Sequence, residues 1–75
     1  MPYIRMKCWP KDEAVKKEFV EKLNALLLDT WGCSQQGVSI SIEEVAKEDW
    51  EEQVVKKEIL PNIDKMMIVS GEKKY

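Results

Sequence analysis

Seventy-five residues make one small domain, residues 1–75, and a chain of that size buries only about 60% of the surface it exposes when unfolded, so association with another chain is expected. The formal net charge is −2, with lysines and glutamates interspersed; nucleic-acid binding has no electrostatic footprint, and no apolar run approaches a membrane span. Histidine is absent, which removes imidazole from every catalytic or metal scheme, and Cys8 and Cys33 read as reduced thiols of a cytoplasmic protein.

The first element is a strand over residues 3–9. Ile4, Met6 and Cys8 share one face, and Tyr3, Arg5 and Lys7 share the other. Pro10 ends it, because proline has no N–H to give a ladder. Asp12 is placed to cap a helix over residues 12–31, with Val15, Phe19, Leu23, Leu26 and Leu27 as its apolar stripe. Glu13–Lys17 and Glu18–Lys22 have i,i+4 spacing on the wet side, and Gly32 is a natural C-cap.

Val38, Ile40 and Ile42 alternate with Ser39, Ser41 and Glu43, which predicts a second strand over residues 37–44. A helix joining two strands suits a parallel crossover. Asp49 and Glu52 have capping-box spacing, and Trp50, Val54 and Ile59 continue a second helical stripe, although that helix can begin a turn earlier. Pro61 must kink or break it. Ile63, Met66 and Met67 suggest one more helical stretch, and the tail Ser70–Tyr75 reads as fraying, with a turn at Gly71. The fold class is therefore α/β, a two-layer β-α-β-α unit. Its two parallel strands per chain are too few to stand alone, and pairing of two copies would join them into a larger sheet.

Pro2 is the residue with the most chemical promise. An internal proline has no N–H, but loss of Met1 would leave Pro2 a free secondary amine at the start of a rigid strand. Such an amine can take and return a proton. No zinc-ligand spacing and no Gly-rich phosphate loop accompany it, since the three glycines are isolated.

The start proline, the segment Lys7-Cys8-Trp9-Pro10-Lys11, the long helix, the strand Ser39-Ile40-Ser41-Ile42 and a tryptophan beyond it resemble the tautomerase superfamily, typified by 4-oxalocrotonate tautomerase. The resemblance covers nearly the whole chain. It is stronger to the small dimeric branch, similar to the enteric phenylpyruvate-type tautomerases, and the Ile59-Leu60-Pro61 interruption fits that branch.

The resemblance implies a cofactor-independent keto–enol isomerase, with Pro2 as general base on a small enol or keto carboxylic acid. It puts the family's first arginine at Lys11, its second at Ser39 and its pocket phenylalanine at Trp50. With one cation altered to lysine and one replaced by serine, a monocarboxylate is easier to hold than a dicarboxylate. The resemblance implies no metal and no cofactor, and a homodimer. Two other readings stay open: hydration or dehalogenation of an unsaturated acid, with Glu43 as the one strand carboxylate to activate water, and a non-catalytic dimeric binding module on the same fold.

Overall fold

The computed structural model describes all residues 1–75, in two compact units, Met1–Glu44 and Val45–Tyr75. The first unit is a β-α-β element. Strand β1 spans Tyr3–Cys8, helix α1 spans Glu13–Leu26 and strand β2 spans Ser39–Glu44. The strands run parallel, with Tyr3 opposite Ser39, Ile4 opposite Ile40 and Cys8 opposite Glu44. Each strand pairs only with the other, so each keeps an open edge.

Asp12 caps α1 as its position predicts, its Oδ1 accepting from the Ala14 N–H at 3.1 Å. The helix continues through a wider, π-helical stretch at Leu27–Trp31 and stops at Gly32, whose φ of 73° is the left-handed conformation that glycine adopts without a Cβ penalty. A tight turn at Gln35–Gly37 then leads into β2, which starts at Ser39, two residues later than its periodicity suggests.

The helix turns only part of the stripe read in its sequence inward. Lys16, Val20, Leu23, Asn24 and Leu27 are half-buried, while Val15, Phe19 and Leu26 stay exposed, Leu26 at 56%. Lys16 owes its place on the inward side to a contact at the end of β2. Glu44 Oε2 accepts from Lys16 Nζ at 3.1 Å, which draws Lys16 to the sheet side and lets its aliphatic stem cover apolar surface. Glu13 follows: it pairs with Lys16 at 3.0 Å, not with Lys17, whereas the Glu18–Lys22 pair forms at 3.6 Å. Between α1 and β2 runs an open cleft of about 340 Å³ with Val20, Ile40 and Ile42 in its lining and Glu13 and Lys17 at its rim.

In the second unit, a single turn at Lys47–Asp49 leads through Trp50 into helix α2, Glu51–Ile59. No side chain caps this start, so the Asp49–Glu52 capping box does not form; the helical turn begins ahead of Asp49, whose N–H already serves the Ala46 carbonyl at 3.0 Å. The helix is wound wide, and the Leu60 N–H reaches back five residues to the Val55 carbonyl. A tighter turn follows at Leu60–Lys65. Asn62 leaves helical geometry there (φ −114°, ψ 21°), and its side-chain amide donates to the Glu58 carbonyl at 2.8 Å.

Met66 and Met67 do not extend the helix. Met66 is extended, and the tail folds back as a hairpin of β3 (Ile68–Val69) and β4 (Glu72–Lys73), closed by a Lys74 N–H to Met67 carbonyl bond of 2.8 Å. Its two-residue loop, Ser70-Gly71, has φ of 49° and 83°, the paired positive angles that match the twist of two short antiparallel strands. The expected fraying gives way to that turn chemistry.

Buried residues are scarce. Val54, 5% exposed, is the one buried apolar side chain, and Gly37 is the other buried residue. No helix is long and apolar enough to cross a membrane.

Candidate active site at the amino terminus

Pro2 sits at the mouth of the parallel pair. Its carbonyl accepts from the Ser39 N–H at 3.2 Å, one step before the Tyr3–Ser39 register begins. The residue is half-buried and its backbone is tied to β2, so a nitrogen there is held by the sheet and not by a loose tail. Of the four residues singled out in the sequence, the structure brings together Pro2 and Ser39. Ser39 is exposed, with its hydroxyl on the polar parity of β2 alongside Ser41 and Glu43.

Lys11 lies at the other end of the same sheet. Six residues of β1 separate it from Pro2, about 20 Å of strand. Its backbone N–H is anchored there by Glu44 Oε2 at 2.9 Å, and its own side chain is exposed. Glu44 thus receives two donors, the Lys11 amide and the Lys16 ammonium. The Lys11 hydrogen bond first, and then Lys16, hold its carboxyl below the usual carboxylate range. Lys16 is raised in turn, by its hydrogen bonds to Glu13 and to Glu44. This knot fixes the Trp9–Asp12 loop to the end of β2. Trp50 belongs to the second unit, half-buried at the entry to α2.

Three features escaped the sequence reading. Gly37 is buried directly behind Met1: a Cβ built on it would stand 3.4 Å from Met1 Cγ and 3.6 Å from Met1 Cα. Asn24 and Gln35 exchange two amide hydrogen bonds of 2.9 Å, pinning the turn that carries Gly37 to α1. Glu44 has the parity of Ile40 and Ile42, and a carboxylate on an apolar face was the available signal for its knot.

A parallel β-α-β element whose first strand starts at a proline held by the second strand defines a small α/β unit of the βαβ class. Comparison with known proteins supplies its family. The chain is 33% identical over 66 residues to tautomerase PptA of Pectobacterium atrosepticum, covering 85% of this chain and 87% of that one. It is 28% identical over 73 residues to tautomerase PptA of Enterobacter sp., covering 95% and 96%. It is 33% identical over 55 residues to a probable tautomerase of Xylella fastidiosa, covering 72% and 67%. No family model matches. The chain belongs to the tautomerase superfamily.

Proposed function

We propose that this protein is a cofactor-independent keto–enol tautomerase of a small monocarboxylic enol or keto acid, with Pro2 as its general base after loss of Met1. The observation that carries the reading is the Ser39–Pro2 hydrogen bond of 3.2 Å, which holds the start of the chain on the sheet in a member of a superfamily whose relatives are named tautomerases. The prolyl nitrogen takes the enol hydroxyl proton as the electron pair falls to form the carbonyl. The carbon end of the former double bond then receives that proton from the prolyl ammonium, so the amine is regenerated. An α-amino group titrates near ~8, and a secondary amine is more basic. Apolar enclosure and a neighbouring cation both lower such a value, bringing the base near working pH.

On this reading Lys11 does not serve the Pro2 of its own chain. Lys11 and Pro2 stand at opposite ends of a strand pair about 20 Å long. Joining open strand edges of two copies about a twofold axis runs the joined strands antiparallel, and this carries Lys11 of one copy toward the partner copy's amino terminus. The exposed Val15, Phe19 and Leu26 also favour association of such copies. In this homodimer Lys11 holds the substrate carboxylate, Ser39 offers a hydroxyl, and Trp50 supplies an apolar wall that keeps water from the amine. The free thiols Cys8 and Cys33 suit the reducing cytoplasm.

The test is enol ketonisation by chains whose Met1 loss has been confirmed by mass. Pro2→Ala should lower kcat/KM by about 10²–10⁴-fold. Undiminished activity in that variant overturns the mechanism. A processed wild-type chain that turns over haloacrylates but no enol acid points to hydration chemistry, and one that only binds enol acids points to a binding module.

A further inference from the structure

We infer that Gly37 is a specificity-determining residue, its bare main chain forming the wall of the space where substrate meets the Pro2 nitrogen and setting how bulky a group the reacting carbon can carry. The inference rests on the tautomerase reading of Pro2. Gly37 is buried, yet its φ lies outside the left-handed region, so its backbone conformation does not call for glycine. What the missing side chain leaves open is space. The three nearest heavy atoms to a Cβ at this position all belong to Met1: Cγ at 3.4 Å, Cα at 3.6 Å and Cβ at 3.8 Å. Met1 Cα is two covalent bonds from the Pro2 nitrogen. The open side of Gly37 therefore faces the volume beside that nitrogen; Met1 is itself 99% exposed, so its loss bares the amine and clears the approach past Gly37 without emptying an enclosed cavity.

The wall is built firmly. The Gly37 N–H donates to the Ser34 carbonyl at 3.0 Å and the Val38 N–H to the Gln35 carbonyl at 3.2 Å, while Gln35 is clasped to Asn24 on α1. Two residues further on, Ser39 holds Pro2 itself. Wall and nitrogen thus share one short, hydrogen-bonded stretch of chain, and their separation does not depend on a mobile loop. An alanine methyl meets Met1 at ordinary contact distance, so Gly37→Ala is compatible with the unprocessed chain. A leucine at this site reaches further toward the approach beside the Pro2 nitrogen that Met1 leaves.

Gly37→Ala and Gly37→Leu should be compared with wild type after mass spectrometry has confirmed Met1 removal and thermal melts have confirmed folding. The probes are the enols of pyruvate and of phenylpyruvate, small and bulky forms of one reacting group. For Gly37→Leu, kcat/KM on the aryl enol should fall about tenfold or more beyond any fall on the small one. Gly37→Ala should shift the ratio in the same direction by less, and it carries the test if the leucine variant does not fold. Equal losses on both probes, or none, overturn the inference. A second readout is independent of turnover: labelling of the prolyl amine by cyanate and by phenyl isothiocyanate, followed on the amino-terminal peptide. Gly37→Leu should slow the aryl reagent selectively, and unchanged relative rates count against the wall even if Pro2→Ala has already removed the tautomerase reading.

Discussion

Asn24 and Gln35 face each other through their side-chain amides and exchange two hydrogen bonds, each 2.9 Å long. The pair joins α1 to the turn before β2 across eleven residues of sequence, so it is a tertiary clasp and not a local helix contact. Either alanine substitution should cost about 0.5–1.5 kcal/mol in urea unfolding. The double variant should cost clearly less than the sum, because removing one partner already breaks both bonds. Full additivity would show that the amides act separately.

The opposite placement of Pro2 and Lys11 makes a prediction about mixed dimers. Chains carrying Pro2→Ala and chains carrying Lys11→Ala should each be weak alone. Unfolded together and refolded, they should recover about a quarter of wild-type activity, since half the dimers are mixed and each mixed dimer has one intact site. No recovery on mixing would mean that each site draws both residues from one chain.

Glu44 and Lys16 bound a window of pH. The Glu44 carboxyl is held low, so its contribution is present above the unfolded value and is lost as pH falls through the folded one, below about 4.3. Lys16 is raised, so its contribution is complete below its unfolded value and is lost as pH rises through the folded one, above about 10.4. Between those limits the knot is intact. Glu44→Gln keeps an acceptor for the Lys11 N–H but no charge for Lys16. It should lower the melting temperature at pH 7 and flatten its decline between about pH 5 and 3. A variant whose acid limb matches wild type would remove Glu44 from the acid response.

Ser70 occupies the first positive-φ position of the terminal hairpin, where asparagine is better suited than serine. Ser70→Asn should protect the Lys74 amide against hydrogen exchange about two- to threefold, and Gly71→Val should abolish that protection, because a β-branched residue is strained at φ of 83°. Equal exchange in all three chains would mean that the loop does not govern the hairpin.

The β-α-β core was legible because its signals are local and strong. Alternation in Ser39–Ile42, the Asp12 cap and the Gly32 stop each follow from a few neighbouring residues, and each appears in the structure. What misled was context. Leu23 and Leu27 of the predicted stripe turn inward while Val15, Phe19 and Leu26 do not, and Lys16 joins the inward side through a contact with the remote carboxylate of Glu44 that no local pattern announces. The hairpin was hidden because its strands are two residues each, below the length at which alternation can be seen. At the amino terminus, the candidates Pro2 and Ser39 could be read from residue type and resemblance, and the structure joins them by a backbone hydrogen bond. Gly37 could not, since a glycine with an ordinary φ leaves no trace in the sequence of the space beside it.

The closeness of Met1 to Gly37 has a practical corollary on the tautomerase reading. Any affinity tag or fusion partner joined ahead of residue 1 leaves Pro2 an internal amide with no basic nitrogen and sets extra chain beside that glycine. Purification handles for assays of the proposed chemistry therefore belong at the carboxyl end.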